Sequence, residues 1–451
     1  MNFFIMTENN AALIKRLLIL SRLLALVIIL LAGCAKPVSP VGVSKHSHNG
    51  PLWGNKGVTS AENADAASHA SSANLSGSVK TGAADNSVTA PGESVAGDPE
   101  GTHLELWTYN ESHVNYYTKL LQQWNDQDPD YTLQITFKTM PYEDLHTAFT
   151  EALKTGSGTP DICDIDAYRF KEVSSGSDTL LYPLDVAVAP YVYELHPARL
   201  DVYKASDGKL YGVPFRMGAA VQYWNTVLLQ SAGITTKEID AVTTWDDFYA
   251  LGERYLSSGK GSFTAVDEEA AVWPMLASAE FSAEEEPVND AAARMSELHK
   301  KWFDGNIAKK TSDIDPEISS GNVATFTASL AYMDRFITDM HDQTDTWYIT
   351  KCPVFKSGQP CSVCLDDVVT VVSASSKAPS LAADYLCFSK LYTENARSFL
   401  WPDLSYDVCN KPLWSNEEFS HDRTNEYDTF FVNYPYDVLK EIGDRIATVS
   451  P

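Results

Sequence analysis

Hydrophobic and polar positions follow three regimes along this chain. Residues 23–32, Leu-Leu-Ala-Leu-Val-Ile-Ile-Leu-Leu-Ala, form an unbroken apolar run. From Ala35 to Thr102 the large apolar residues thin out and no period survives. After residue 102 two periods alternate. His103 to Tyr109 (His-Leu-Glu-Leu-Trp-Thr-Tyr) alternates as a strand does, and Val114, Tyr117, Leu121 and Trp124 then recur at helical spacing. Leu133 to Phe137 reads as a second strand, Tyr142 to Lys154 as a helix, and Asp161 to Ile165 as a third strand. Such a β-α-β-α-β series predicts an α/β protein, with a parallel or mixed sheet covered by helices. Ligands of such sheets bind beyond the carboxyl ends of the strands, which directs attention to residues 109–112, 140–144 and 164–168.

The apolar run is too short to cross a membrane, which takes about 20 residues, and suits a signal-peptide core. Lys15, Arg16 and Arg22 precede it, and Leu31-Ala32-Gly33-Cys34 ends it. This looks like a bacterial lipoprotein signal: small Ala32 and Gly33 fit a peptidase subsite, and the Cys34 thiol is the nucleophile for diacylglycerol attachment. Residues 1–33 are thus expected to be a leader, and Cys34 the lipidated first residue of the mature protein on the outer face of the cell membrane. Residues 34–102, rich in Ser, Ala, Gly, Asn and Pro, read as lipidated Cys34 plus a disordered linker. A flexible coil of that length reaches roughly 45 Å root-mean-square. His46, His48 and His69 within it read as solvated residues, not metal ligands.

Charge narrows the partners. The whole chain carries −26, and the leader's three basic residues and Glu8 leave −28 beyond it. A body this acidic is a poor binder of nucleic acid or of an anionic membrane surface, so membrane attachment is expected through the lipid alone. With 44% hydrophobic and 11% aromatic residues, the part beyond the linker can bury two cores.

Several segments then line up in a familiar order. They include Leu-Glu-Leu-Trp-Thr at 104–108, Gly-Thr-Pro-Asp-Ile at 158–162, Leu-Tyr-Pro-Leu at 181–184 and Asp-Gly-Lys-Leu-Tyr-Gly-Val-Pro-Phe at 207–215. Gln222-Tyr223-Trp224-Asn225, Thr244-Trp245-Asp246-Asp247-Phe248, Ser320-Gly321-Asn322-Val323-Ala324, Pro353-Val354-Phe355-Lys356-Ser357-Gly358 and Ser375-Ser376-Lys377-Ala378-Pro379 follow. The chain resembles the family 1 extracellular solute-binding proteins, the maltose-binding-protein-like receptors of ABC importers. That resemblance implies a two-lobed periplasmic-binding-protein fold of type II-like build, with the ligand cleft between lobes joined by hinge strands. By analogy the first lobe spans 103–213 with 325–364 and the second 214–324 with 365–451, crossing at Gly212-Val213-Pro214 and at Cys364-Leu365-Asp366-Asp367. It also implies a monomer that closes on its solute and delivers it to permease subunits, without a cofactor.

A sugar offers an apolar C–H face and a rim of hydroxyls, so its pocket needs aromatic platforms and bidentate polar groups. Trp107, Tyr109, Asn110 and Glu111 supply that mixture after the first strand, although a strand Trp more often packs. Asp166 and Tyr168 supply it after the third strand. The resemblance turns Arg216 toward the cleft and places Trp273 and Tyr332 among further contacts. Where many relatives carry Gly-Gly, this chain has Leu365-Asp366-Asp367, so Asp366 or Asp367 is a candidate hydroxyl or cation ligand. Trp224 reads as a buried strand residue, and Thr244 as the N-cap of a helix that starts at Trp245. The expected solute is an oligosaccharide; the alternatives are a polyamine, an iron chelate or a receptor coupled to a sensor.

Six cysteines remain beyond Cys34: Cys163, Cys352, Cys361, Cys364, Cys387 and Cys409. Cys361-Ser-Val-Cys364 has the spacing of a zinc knuckle but no second pair follows, so no metal is expected. Disulfides, for example Cys352 with Cys361 or Cys364, and free thiols both stay open. Carboxylate pairs such as Glu111 with Asp166 could serve glycoside hydrolysis. In so acidic a chain they arise by chance, and no nucleophile elbow, zincin motif or phosphate loop accompanies them, so no enzyme is expected.

Overall fold

The structure, a computed structural model, describes residues 91–127, 131–175, 180–284 and 288–449. The leader, Cys34 and most of the expected linker lie outside the described residues.

The first lobe is built on a six-stranded sheet. Its strands are β1 (Gly92–Gly97), β2 (Thr102–Thr108), β3 (Leu133–Thr139), β4 (Ile162–Asp166), β5 (Val213–Pro214) and β12 (Val368–Val372), in the order β1-β3-β2-β4-β12-β5. β2 pairs in parallel with both β3 and β4, as the β-α-β-α-β reading requires. The intervening helices α1 (Glu111–Gln127) and α2 (Tyr142–Thr155) bury one stripe each. In α1 the stripe is His113, Tyr116, Tyr117, Leu120 and Leu121, the spacing of a single helical face.

The second lobe carries a five-stranded sheet, β10-β6-β9-β7-β8. Its members are β6 (Ala220–Asn225), β7 (Ser262–Val266), β8 (Ala308–Lys310), β9 (Val323–Ser329) and β10 (Trp347–Lys351). Helices α3 (Trp245–Ser257), α4 (Val272–Glu284) and α5 (Val288–Asp304) bring residues to its separate core, where Trp224, Trp245 and Trp302 are buried. Thr244 caps α3 as expected: its hydroxyl accepts the Asp247 amide at 3.2 Å, and the Asp247 carboxylate accepts the Thr244 amide at 2.9 Å. Helix α6 (Met333–Asp339) follows β9, and α7 (Pro379–Leu391) returns to the first sheet, against β12 and β5.

Two of the expected boundaries move. The linker was placed up to residue 102, yet Gly92–Gly97 is an edge strand paired antiparallel to β3. Its side chains are mostly exposed, so backbone pairing holds it and hydrophobic patterning does not reveal it. The lobes also exchange their later segments: residues 323–329 and 347–351, expected mainly in the first lobe, belong to the second sheet, and 368–372, expected in the second, lie between β4 and β5. Strand partners far apart in sequence decided both, and segment order alone does not fix them. The Val-Val-Thr-Val-Val run of β12, apolar on both faces, suits only a central place.

The lobes join where the chain passes from β5 to β6 and back from β11 (Ser362–Val363) to β12. The crossings lie side by side: Ala219 bridges Cys364, and the Leu365 amide donates to the Gly218 carbonyl at 2.7 Å. Gly218 has φ +57°, and a Cβ there would stand 2.2 Å from the Asp366 carbonyl oxygen. All six described cysteines are buried free thiols, so the proposed Cys352 pairings are not formed. Among the described residues no three metal-ligating side chains are gathered at one place, and no helix is long and apolar enough to cross a membrane.

The crossing makes Gly218 sensitive to substitution. Gly156, also at positive φ (+67°), faces open space. Gly156→Ala is expected to lose about 1 kcal/mol in urea unfolding, and Gly218→Ala at least twice that. Equal losses would mean that the crossing tolerates a side chain.

Candidate functional site

The end of β2 supplies the first wall. Tyr109 packs edge-on against Tyr142 at 5.1 Å between ring centroids, and against His146 at 5.3 Å. Asn110 starts α1: its Oδ1 accepts the Ser112 amide at 2.9 Å, and its Nδ2 donates to the Tyr406 hydroxyl at 3.2 Å. At the end of β4, Asp166 accepts the Tyr168 amide at 2.8 Å and its own amide donates to His146 Nε2 at 2.9 Å. His146 Nδ1 lies 2.7 Å from the Tyr142 carbonyl, an acceptor, so the proton sits on Nδ1 and the ring is neutral. Burial agrees, pushing the His146 pKa down to about 4.

The crossing supplies the floor. Asp367 accepts the Phe215 and Arg216 amides at 3.0 and 2.9 Å and the Tyr203 hydroxyl at 2.6 Å, with Arg199 Nη1 4.0 Å away. Both oxygens of this carboxylate are engaged internally, and through the Arg216 amide it positions Arg216. The Arg216 guanidinium lies 3.7 Å from the ring centroid of Tyr406 and 3.4 Å from Asp334 of α6, whose other oxygen accepts the Tyr427 hydroxyl at 2.7 Å. Arg216 therefore touches both lobes' walls.

Beneath the floor a buried relay fixes Tyr406. His113 Nε2 is 2.9 Å from the Tyr406 hydroxyl, and its Nδ1 is 2.9 Å from Asp164 Oδ2. Asn110 donating to Tyr406, Tyr406 to His113, and His113 to Asp164 satisfies each group with a neutral imidazole. Burial pushes the His113 pKa down accordingly. Asp164 stays below its ordinary pKa, because bonds from His113 and Thr370 outweigh its burial.

Three further carboxyls sit on the other side of the balance. Burial pushes Asp166 up to about 6 and Asp366 up to about 7, the latter although Arg216 opposes the shift. Asp407, whose Oδ2 accepts the Gly218 amide at 2.8 Å and whose Oδ1 is buried without a partner, also rises to about 7. Near neutral pH these groups switch between accepting and donating hydrogen bonds.

Of the residues singled out in the sequence, the structure brings together Tyr109, Asn110, Asp166, Tyr168, Arg216 and Asp366, with Asp367 supporting them. Glu111 is the exposed first residue of α1. Three lie elsewhere. Trp107 is held on the sheet, its Nε1 donating to Glu105 at 2.5 Å beside Lys138. Trp273 packs into the second core against Trp245, Trp302 and His299. Tyr332 is buried, its ring against Phe326 and Phe336 and its hydroxyl on Asp315 at 2.7 Å. Apolar neighbours from helices and from β9 claimed the last two. Tyr142, Asp334, Tyr406, Asp407 and Tyr427 were missed, since contacts across hundreds of residues leave no local pattern; His113 on an apolar stripe was the one visible signal.

The high carboxyl pKa of Asp407 has a thermodynamic signature. A buried acid with a raised pKa favours the folded state fully below its unfolded value of 3.8, and that contribution is lost as pH rises through 7. His146 acts oppositely, its contribution complete above 6.5 and lost as pH falls through 4. The difference in unfolding free energy between about pH 5 and pH 8 should therefore shift by on the order of 2 kcal/mol in Asp407→Asn, toward relatively greater stability at high pH. An unchanged difference in paired denaturant titrations would show that Asp407 is ionised throughout.

Residues 110–389 match the family model for the bacterial extracellular solute-binding protein. An arabinooligosaccharide-binding protein of Halalkalibacterium halodurans is 29% identical over 374 residues, covering 79% of this chain and 82% of that protein. One from Bacillus subtilis is 27% identical over 373 residues, covering 79% and 84%. Among solved structures, the cyclic alpha-maltosyl-1,6-maltose binding protein from Arthrobacter globiformis superposes with a TM-score of 0.61 at 14% identity, over 75% of this chain and 87% of that one. An ABC transporter associated binding protein from B. animalis subsp. lactis, solved with beta-1,6-galactobiose, gives 0.53 at 14% identity, over 78% and 88%. These structural likenesses confirm the two-lobed fold, and with the family match spanning more than half of its length the chain belongs to the bacterial extracellular solute-binding proteins.

Proposed function

We propose that this protein is a lipid-anchored extracytoplasmic receptor, held by Cys34, that captures an arabino-oligosaccharide between its lobes and hands it to the permease of an ABC transporter. The carrying observation is the Arg216 floor, where a buried guanidinium on the crossing segment meets Tyr406 and Asp334 beside Tyr109, Asn110, Asp166 and Tyr168. Aromatic faces with carboxyl, amide and guanidinium groups match a sugar's apolar face and hydroxyl rim. The two relatives named for arabino-oligosaccharides favour a pentose oligomer over a polyamine or an iron chelate. Asp366 with Asp166 faces the ligand as a hydroxyl partner. Closure follows from tighter binding in the closed state, and the paired crossings are the bending point. The protein binds without turnover.

Arabinotriose at 100 times its dissociation constant should stabilise the protein by about 2.7 kcal/mol and raise the thermal midpoint, while spermidine and ferric chelates leave it unmoved. Arabinotriose recovered intact after prolonged incubation would accord with pure binding; cleavage products would reassign the protein as an enzyme.

Variants separate the cleft from the core. Tyr168→Ala and Asp366→Asn should weaken arabinotriose binding about tenfold or more, with little effect on the unliganded midpoint. Trp273→Ala should do the reverse, costing about 3–5 kcal/mol of stability through a cavity in the second core. If Trp273→Ala instead abolished binding in a stably folded protein, the cleft would have to be redrawn to include it.

A further inference from the structure

Next to Tyr427 the chain buries an acid that nothing around it bonds. Asp428 is 3% exposed, and both of its carboxyl oxygens are shielded from water without a hydrogen-bond partner. It sits on the short helix α8 (Glu426–Phe430), capped by Asn425, whose Oδ1 accepts the Tyr427 amide at 2.9 Å. The same helix reaches the cleft. The Tyr427 hydroxyl donates to Asp334 of α6 at 2.7 Å, and the other Asp334 oxygen stands 3.4 Å from Arg216. Phe430 packs against Phe336 of α6 with ring centroids 5.8 Å apart, so α8 rests on the helix that carries Asp334.

The groups that face Asp428 make its charge expensive. Asp422 and Arg423 come from the turn before α8, and Asp437 and Tyr436 from α9 (Pro435–Ile442). Asp422 Oδ1 accepts the Thr424 amide at 2.9 Å and the Thr424 hydroxyl at 2.7 Å, and Asp437 Oδ1 lies 2.9 Å from His421 Nε2. Arg423, the permanent cation of the group, is exposed, with its guanidinium 5.1 Å from the Tyr434 ring centroid. Glu426, on α8 itself, is exposed as well. Burial, with Asp422 and Asp437 adding to it, outweighs the Asp422 amide and Arg423 and pushes the Asp428 carboxyl up to about 8. A neutral carboxyl can stay in such a place at modest cost, whereas a carboxylate demands donors or water. Separation of α8 from α9 is what brings water to it.

We propose that Asp428 is a positioning residue for the cleft: while its carboxyl carries a proton it keeps Tyr427 seated on Asp334, and once that proton is lost α8 loosens and Arg216 grips the sugar less firmly. This rests on the reading of Arg216 as a sugar contact. The sign follows from the raised pKa. What the buried acid contributes to the packed arrangement is complete below 3.8 and is lost as pH rises through about 8, so the receptor holds its ligand near neutrality and releases it more readily in alkaline surroundings.

Two measurements on the full chain test this: arabinotriose calorimetry from pH 6.5 to 9.5, and hydrogen exchange of residues 421–431 in the unliganded protein, corrected for the intrinsic pH dependence of exchange. One coupled proton limits the change to tenfold per pH unit above the transition, so affinity should fall about tenfold between pH 7 and pH 9 while protection of 421–431 declines. Asp428→Asn should keep the affinity seen at pH 7 and abolish both trends, and its difference from the wild type isolates this proton from those of Asp366 and Asp407. Tyr427→Phe should bind more weakly already at pH 7 and lose little more at pH 9. An affinity loss that persists in Asp428→Asn, or protection of 421–431 that is the same at pH 7 and pH 9, would overturn the proposal. If Asp428→Asn folds poorly, Asp422→Asn decides: removing that negative neighbour should move the exchange transition to lower pH, and an unmoved transition sinks the idea. Exchange that responds to pH and is silenced by Asp428→Asn, in a protein that binds arabinotriose at no pH, would keep the Asp428 device and reject the sugar reading instead.

Discussion

One buried carboxylate sets the geometry on which the cleft depends. Asp367 gathers two consecutive backbone amides, a tyrosine hydroxyl and the neighbourhood of a buried arginine, all at the place where the chain passes between lobes. A buried carboxylate placed there is satisfied only while all of these donors point at it; removal of any one leaves a buried acceptor without its partner. The crossing is thereby stiff at Phe215 and Arg216. Bending has to be taken up beyond them, near Gly218, where the second crossing lies alongside.

The same economy runs through the rest of the site. Asp164, bonded by His113 and Thr370, is held below its ordinary pKa, whereas burial outweighs the donors around Asp166, Asp366 and Asp407 and raises them toward neutrality. A cleft that must exchange water for ligand hydroxyls benefits from groups that are not already saturated. Arg216 is the exception that joins both classes, since it is anchored by Tyr406 and Asp334 yet lies beside the unsaturated acids.

What the sequence made legible was local. The periods of residues 103–165 gave the first three parallel strands and both intervening helices, and Thr244 with Asp247 announced a helix start that the structure realises atom by atom. Strand-end reasoning pointed to Tyr109, Asn110 and Asp166, which lie at the ends of β2 and β4. The misplacements share a cause: Trp273 and Tyr332 have the residue type of sugar platforms, but burial is decided by neighbours such as Trp302 and Phe326 that no window of sequence brings alongside. The lobe boundaries failed for the same reason, because β9, β10 and β12 choose partners more than a hundred residues away.

The position of β12 also governs how the chain can assemble. The second sheet is drawn from a continuous stretch, 220–351, and can form as soon as that stretch exists. The first sheet cannot: until residues 368–372 arrive, β4 and β5 each present an unpaired edge, and Lys390 cannot reach the Val213 carbonyl or the Thr370 hydroxyl. Closing that gap spans about 150 residues of intervening chain, which makes it a slow, late step by the loop-closure cost of non-local pairing. The lobe that begins first in the sequence is therefore the one that finishes last, and the open edges of β4 and β5 are where a nascent copy is most exposed to pairing with the wrong neighbour.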